Sequence, residues 1–285
     1  MKAGISTPGC SSTAGGETRL PVQLQGRIVI ITGGAAGIGR ALALRFAREG
    51  VAGLIIADQD AAGAEEVASA CPPSANASAL PVDVSQAAQV NALVDTALQR
   101  FGRVDLFASN AGIFVPGSES TTSLEDFDRV WQVNVNAHLH AARAVLPSML
   151  ARGEGYLLQT ISAAGLLNQI GSASYGISKH AALGFAEWLS ITYGDRGIRV
   201  SAICPQGVRT RMLKQGLGEG RKSFLDEGAI EPEDVAAAAV AGIAAGEFLI
   251  LPHPEVRDYF QRKASDYDRW LRGMRRLQAK VAGPA

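Results

Sequence analysis

Cysteine is scarce in this chain, and the few cysteines that it has lie far apart. The 285 residues include only three, Cys10, Cys71 and Cys204. An odd number, without a C-x-x-C pair or Cys/His ligand spacing, excludes a disulfide framework and a structural zinc site, so we expect no metal. Unpaired cysteines are typical of a reducing compartment, and the expected location is the cytoplasm.

The chain also lacks a charge surplus and a long hydrophobic run. Lys and Arg together number 27, as do Asp and Glu, so the basic surplus that nucleic-acid binding requires is missing. No apolar run approaches the about 20 residues of a membrane-spanning helix. Residues 1–25 are rich in Gly, Ser and Thr and lack the apolar segment of a signal peptide, which predicts a flexible leader.

What the sequence does contain is a regular alternation of short apolar runs and longer segments of helical period. The runs predict seven strands: Ile28–Ile31, Leu54–Ala57, Ala79–Val82, Val104–Ala108, Tyr156–Thr160, Arg199–Ile203 and Phe248–Leu251. The periodic segments predict helices at Ile38–Glu49, Ala61–Ala70, Gln86–Arg100, Leu124–Leu150, Ser174–Tyr193 and Glu233–Ala245.

This alternation indicates an α/β fold. Strands that are apolar throughout, rather than at every second residue, are typical of a parallel sheet that helices cover on both faces. We therefore expect a single-domain, doubly wound Rossmann fold with a seven-stranded parallel sheet over residues 26–253. Residues 254–285 follow as a basic, amphipathic helical extension.

A glycine-rich turn follows the first predicted strand. Its spacing is G-x-x-x-G-x-G, in the segment Thr32-Gly33-Gly34-Ala35-Ala36-Gly37-Ile38-Gly39, and a helix begins there. Such a turn lets backbone N–H groups approach a pyrophosphate at the positive end of the helix dipole. Asp58, 19 residues beyond Gly39, ends the next strand and suits the two ribose hydroxyls of NAD, whereas it repels the 2′-phosphate of NADP. NAD is therefore the predicted cofactor.

With these residues the chain resembles the short-chain dehydrogenase/reductase family. The resemblance covers about Gly26 to Leu251, and the ordered set of motifs carries it: the glycine turn, Asp83-Val84, Asn110-Ala111-Gly112, Asn134, Ser162 and Tyr175-(x)3-Lys179. It implies that Tyr175 exchanges a proton with the substrate oxygen and that Ser162 hydrogen-bonds this oxygen. It also implies that Lys179 lowers the pKa of Tyr175 and holds the nicotinamide ribose, and that Asn134, rather than Asn136, anchors a proton-relay water.

The expected site follows from the motifs and the resemblance together. The catalytic residues are Asn134, Ser162, Tyr175 and Lys179. The expected cofactor-binding residues are Gly33, Ala36, Gly37, Ile38, Gly39, Asp58, Asp83, Val84, Asn110, Ala111, Gly112, Tyr175, Lys179, Pro205, Val208 and Thr210. Candidate substrate contacts are Ala164, Leu166, Gln206 and Met212. Gln206 stands where the family commonly has Gly, and it is interpreted either as a pocket residue or as a residue of a surface loop.

The predicted function is hydride transfer between NAD and a hydrophobic secondary alcohol or ketone. Basic residues after the sixth strand (Arg209, Arg211, Lys214, Arg221 and Lys222) leave a 3-hydroxyacyl-thioester dehydrogenase or reductase as an alternative. A non-catalytic NAD-binding sensor or scaffold is another. The resemblance also implies a homo-oligomer, a dimer or a homotetramer.

The C-terminal extension leaves two interpretations open. Apolar residues recur at helical spacing over Glu255–Val281, and residues 254–285 contain eight basic and four acidic groups. Such a helix either packs over a pocket mouth or touches a membrane surface, and packing is the preferred interpretation.

Overall fold

A computed structural model describes residues 23–215 and 225–282, and all seven predicted strands are present in it. All pair in parallel in one sheet, in the order β3-β2-β1-β4-β5-β6-β7, which confirms the doubly wound fold. The strands are β1 (Ile28–Thr32), β2 (Gly53–Asp58), β3 (Ala77–Pro81), β4 (Leu106–Ser109), β5 (Gly155–Thr160), β6 (Ile198–Ile203) and β7 (Leu249–Ile250).

Helices cover both faces of this sheet. They are α1 (Gly37–Arg48), α2 (Ala61–Ser69), α3 (Ala87–Phe101), α4 (Leu124–Trp131), α5 (Ala137–Arg152), α6 (Ala164–Leu167), α7 (Ala173–Tyr193), α8 (Arg211–Gln215), α9 (Pro232–Ala245), α10 (Glu255–Ser265) and α11 (Tyr267–Ala282). The short helices α6 and α8 were not predicted. Within the described ranges, no helix is both long and apolar enough to cross a bilayer.

The predicted long helix Leu124–Leu150 is not continuous. A π-helical turn over Gln132–Asn136 separates α4 from α5. Asn134 in this turn is fully buried, and its side chain bonds both backbone groups of Ile113, in the loop after β4. This partner is distant in sequence, so helical periodicity alone cannot reveal the break.

The predicted helix over Glu255–Val281 is also divided, at Asp266. This residue has an extended backbone, with φ −151° and ψ 90°, and its carboxylate accepts a hydrogen bond of 2.9 Å from the backbone N–H of Arg269. Asp266 therefore acts as the N-cap of α11. An aspartate followed by a periodic segment is a recognisable helix start, so the sequence did hold this signal.

The core consists of two apolar layers, one on each face of the sheet. In β1, Val29 and Ile31 pack into the layer that includes α1, α2 and α9, whereas Ile30 packs into the layer of α3, α5 and α7. All three side chains have no exposed surface. Val256 of α10 is equally buried in the second layer, so the C-terminal extension packs against the body of the fold. Of the predicted leader, only residues 23–25 are described, and Leu24 among them is buried.

Candidate active site

A cavity of about 830 Å³ lies at the carboxyl edge of the sheet. It is lined by residues at or just after the ends of β1, β2, β3, β4, β5 and β6, because the carboxyl ends of parallel strands meet at one edge. Strands β2 and β4 flank β1 on opposite sides, and open α/β sheets bind their ligands where the strand order reverses in this way.

The glycine turn after β1 forms one wall of this cavity. Gly33 has φ +65°, and a Cβ there would lie 2.8 Å from the Cα of Ala111. The Nδ2 of Asn110 donates to the carbonyl of Thr32 at 3.0 Å, which holds the turn against the loop after β4. Helix α1 begins at Gly37 without a side-chain cap, so its first N–H groups are available to an anion. These features fit the pyrophosphate of a dinucleotide.

Asp58 lies at the far end of this wall, where β2 ends. One carboxylate oxygen accepts a hydrogen bond from the Ala35 N–H and the other from the Asp60 N–H, each at 3.0 Å. These backbone bonds fix the carboxylate at the edge of the cavity that it lines. A carboxylate held there suits the hydroxyl groups of a ribose.

Ser162, Tyr175 and Lys179 line the cavity on the side of β5 and α7. The hydroxyls of Ser162 and Tyr175 share a hydrogen bond. The Lys179 Nζ lies 5.5 Å from the centre of the Tyr175 ring and donates to the carbonyl of Thr160 at 3.2 Å. Tyr175 and Lys179 share one face of α7 because they are four residues apart. The structure therefore brings the three predicted side chains together.

The pKa of Tyr175 differs from the expectation. Burial raises it to about 12, although the hydrogen bond with Ser162 acts in the opposite direction. Burial also lowers the pKa of Lys179 to about 8. In this arrangement the cost of placing a phenolate in a buried site outweighs the opposing hydrogen bond, so the expected lowering of the Tyr175 pKa is not found.

Asn134 lies behind these three residues and does not line the cavity. Its Nδ2 donates to the Ile113 carbonyl at 3.0 Å and to the Ser178 hydroxyl at 3.1 Å, and its Oδ1 accepts from the Ile113 N–H at 2.9 Å. Asn136, its competitor in the sequence, is half-buried and bonds only Gln132, at 2.8 Å, among the described residues. Asn134 thus links the π-helical turn to the cavity wall after β4 and to α7.

His138 follows Asn134 by one helical turn and is buried, with 1% of its surface exposed. Neither ring nitrogen has a hydrogen-bond partner within the described part of the chain. Burial, together with the positive charge of Lys179, lowers the pKa of His138 to about 3. The structure thus places this histidine in the core as a neutral imidazole.

Most of the predicted cofactor-binding residues line the cavity, and two do not. Gly39 packs inside the turn, where a Cβ would overlap the Gly33 carbonyl oxygen. Asp83 bonds the N–H and the hydroxyl of Ser85, at 2.9 and 2.7 Å, instead of facing the cavity. The residues that do line it are Gly33, Ala36, Gly37, Ile38, Asp58, Val84, Asn110, Ala111, Gly112, Tyr175, Lys179, Pro205, Val208 and Thr210.

Two of the four predicted substrate contacts line the cavity, and two do not. Gln206 and Met212 line the cavity. Ala164 and Leu166 do not, because the segment after Ser162 forms the short helix α6 and both residues are buried there, each 3% exposed. The prediction that they contact substrate is wrong for this arrangement. Of the basic residues after β6, Arg209 forms an ion pair of 2.9 Å with Glu231, and Arg221 and Lys222 lie outside the described residues.

The end of the chain supplies a further part of the cavity wall. Leu277, Lys280 and Val281 of α11 line the same cavity as Tyr175. Their spacing of three and four residues places them on one helical face. This agrees with the preferred interpretation of the extension as a helix that packs over a pocket mouth, although these three residues were not singled out from the sequence as part of the site.

Comparisons with known proteins agree with this geometry. Residues 27–218 match the family model described as short chain dehydrogenase. The chain is 35% identical over 240 residues to 1-deoxy-11-beta-hydroxypentalenate dehydrogenase of Streptomyces exfoliatus, covering 83% of this chain and 86% of that protein. It is 31% identical over 220 residues to meso-2,3-butanediol dehydrogenase of Serratia marcescens, covering 76% and 86%.

A solved structure gives the same result for the fold. The crystal structure of a short-chain dehydrogenase/reductase from Burkholderia phymatum in complex with NAD has a TM-score of 0.78 to this chain and 28% sequence identity. The similarity covers 93% of this chain and 99% of that one, and thus extends beyond the segment that the family model matches.

Proposed function

The chain belongs to the short-chain dehydrogenase/reductase family, and we propose that it transfers hydride between NAD and a hydrophobic secondary alcohol or its ketone. One observation carries the proposal. The Ser162, Tyr175 and Lys179 side chains line the same cavity as the glycine turn that fits a dinucleotide. A cofactor held by that turn and a substrate oxygen held by Ser162 and Tyr175 would therefore share one space.

The residues of this chain supply binding, orientation and proton transfer. NAD, when bound, would accept hydride from an alcohol in its oxidised form and donate hydride to a ketone in its reduced form. Ser162 and Tyr175 hold the substrate oxygen, and Tyr175 gives a proton to a carbonyl oxygen or takes one from an alcohol. Because burial raises the pKa of Tyr175 to about 12, its hydroxyl carries the proton that a carbonyl oxygen would receive. Removal of a proton from an alcohol is favoured by the positive charge of Lys179, which stabilises the phenolate.

Asn134 is proposed to support this site from behind. Its three hydrogen bonds fix the loop after β4 relative to α7, the helix that carries Tyr175 and Lys179. The family resemblance adds a proton-relay water to this role. Gly112, on the loop that Asn134 holds, lies next to Lys179: a Cβ on this glycine would be 3.5 Å from the Lys179 Nζ.

The choice of NAD over NADP rests on Asp58. Its carboxylate is fixed at the cavity edge by two backbone N–H groups, so it cannot turn away from a 2′-phosphate without losing both bonds. Ala35 and Ala36, in the neighbouring turn, provide no cation for such a phosphate. Asp83 and Gly39 are proposed to act indirectly, since they shape the loop and the turn without lining the cavity.

A hydrophobic substrate fits the remaining wall. Near Tyr175 the cavity is lined by Ile113, Phe114 and Ile170, and the Phe114 ring lies edge-on to the Tyr175 ring with centroids 5.2 Å apart. Gln206 and Met212 complete this side. An apolar alcohol would bury its carbon skeleton against these side chains, while its oxygen forms hydrogen bonds with the hydroxyls of Ser162 and Tyr175.

A homo-oligomer, either a dimer or a tetramer, is proposed from the exposed apolar side chains of α4, α5 and α7. These are Leu124, Trp131, Leu139, Ile177, Trp188 and Ile191, all at least 38% exposed. Large apolar side chains that are exposed on neighbouring helices are typical of a subunit interface. Light scattering of the purified protein would measure the mass of the assembly and so the number of subunits. We also propose a cytoplasmic location.

The test compares the wild type with Tyr175→Phe for NAD reduction on a panel of hydrophobic secondary alcohols. We expect turnover to fall at least about 100-fold, the usual contribution of a general acid or base, while NAD affinity stays within about twofold. Ile177→Val, on the same helix but outside the cavity, is the matched control and should keep its activity. The same assay with NADP should give the lower kcat/KM.

Four outcomes would contradict these proposals. Turnover that survives Tyr175→Phe removes the proposed role of the tyrosine. Preference for NADP removes the role of Asp58. Tight NAD binding with no turnover of any alcohol or ketone would favour the non-catalytic sensor, and exclusive activity on 3-hydroxyacyl thioesters would favour the alternative substrate class.

A further inference from the structure

The C-terminal extension is attached to both loops that border the substrate side of the cavity. Lys263 of α10 is buried, and its Nζ donates to the Leu166 carbonyl at 2.6 Å, in the short helix that follows Ser162. His253, just before α10, accepts a hydrogen bond of 3.1 Å from the Gln206 N–H through its Nδ1. These two attachments hold the start of the extension against the active site.

Helix α11 continues from this anchored segment to the cavity. Trp270 packs against the apolar layer that also contains α7. Leu277 and Val281 lie seven and eleven residues further along the chain, on the same helical face, and line the cavity together with Lys280. One face of α11 therefore packs on the core at its beginning and borders the catalytic cavity at its end.

The end of α11 adds both apolar surface and charge to the cavity. Leu277 and Val281 extend the apolar wall formed by Met212, Leu213 and Leu225. Lys280, an exposed residue, lines the same cavity, as does Arg211, and within residues 23–215 and 225–282 no ion pair involves either of them. A cation bordering an apolar cavity favours a ligand that combines an apolar body with an anionic end.

We propose that α11 is the outer wall of the substrate pocket, and that Lys280 binds a carboxylate on the substrate at the end remote from the reacting carbon. This inference rests on the proposed function and specifies its substrate class: an apolar secondary alcohol, or the corresponding ketone, that carries a carboxylate. Leu277 and Val281 contact the carbon skeleton between the two polar ends.

The charges around the cofactor-binding part of the cavity favour this role over one in cofactor binding. Asp58 lines the cavity where the ribose of the cofactor is expected, and its charge is opposite to that of Lys280. The anion expected at the glycine turn is a pyrophosphate, for which the N–H groups at the start of α1 are already available. We therefore expect Lys280 to change the KM of the substrate and to leave the KM of NAD unchanged.

The experiment uses three alcohols of one shape: phenylethanol with the hydroxyl on the carbon next to the ring, its para-carboxylate, and the methyl ester of that carboxylate. NAD reduction is measured for the full-length wild type and for Lys280→Gln. We expect the wild type to prefer the carboxylate to the ester about tenfold in kcat/KM, as one charge-assisted hydrogen bond allows. Lys280→Gln should abolish this preference by raising the KM of the acid. The kcat on the acid and the kcat/KM for the ester should not change.

Arg275→Gln is the matched control, because it removes the same charge from α11 at a residue that does not line the cavity. It lies five positions before Lys280, about 140° around the helix, and should keep the preference for the carboxylate. Unchanged activity of Lys280→Gln on the neutral alcohol shows that the variant is folded.

Each remaining outcome has a definite consequence. Equal kcat/KM for acid and ester in the wild type, a preference for the acid that Lys280→Gln retains, or an equal loss on both in Lys280→Gln overturns the inference and leaves the proposed function standing. A raised KM for NAD in Lys280→Gln also overturns it, since the lysine would then serve the cofactor. Failure of the wild type to turn over any alcohol or ketone, both these three and those of the wider panel, overturns the proposed function, and the inference with it.

Discussion

His138 makes the stability of this protein depend on pH in a predictable way. An ordinary histidine has a pKa of about 6.5, whereas burial lowers the pKa of His138 to about 3. Between these two values the unfolded chain binds a proton at this residue and the folded chain does not. Stability is therefore complete above pH 6.5 and decreases as the pH falls toward 3.

The size of the effect follows from the same two pKa values. One pKa unit corresponds to about 1.36 kcal/mol, so acidification to pH 5, about 1.5 units below the unfolded value, removes about 2 kcal/mol from the free energy of unfolding. With only 1% of the residue exposed, screening by water is minimal. His138→Leu removes the titrating group and also the two ring nitrogens that lack partners among the described residues.

The assay is urea unfolding of the wild type and His138→Leu at pH 7.5, 6 and 5. We expect the stability of the wild type relative to the variant to fall by about 2 kcal/mol between pH 7.5 and 5. Val145→Ala, a core truncation on the same helix, should lower stability by about 2 kcal/mol at every pH. If the wild type and His138→Leu lose stability in parallel on acidification, the histidine is not held neutral and the reasoning is wrong.

Two further predictions concern the glycine turn and the hydrogen bonds of Asn134. Gly39→Ala should weaken NAD binding at least about tenfold in a fluorescence titration, because its Cβ overlaps backbone within the turn, whereas Gly273→Ala, with only a distant arginine atom nearby, should bind normally. Asn134→Ala should lower the free energy of unfolding by about 2 kcal/mol or more in urea, since it leaves buried backbone groups without partners, whereas Asn136→Ala should cost less than about 0.5 kcal/mol. Equal losses in either pair of variants would contradict the role given to the first member.

The sheet could be predicted closely because most of its strands are buried on both faces. All five residues of β1 are buried, so the strand reads as an apolar run, and the same holds for β5. The glycine turn and Asp58 could be predicted because backbone approach and ribose binding impose particular residue types at fixed places. In each case the physical constraint acts on residues that are close together in the chain, so it can be recognised from the sequence.

The errors arose where distant residues decide the structure. Asn134 interrupts a helix because it bonds Ile113 across the fold. Leu166 faces the core because α6 forms after Ser162, and its carbonyl is held by Lys263 from the other end of the chain. Periodicity records which side of a helix is apolar, but it does not record which surface that side will meet.

The cavity joins the two ends of the chain, and this has a consequence for protein synthesis. Its dinucleotide wall begins at Gly33 and its outer wall ends at Val281. A ribosome that has translated most of the chain has already released the glycine turn, but it still holds the residues that close the opposite side. The nascent chain can therefore fold its glycine turn before the α11 residues that complete the cavity wall have left the ribosome.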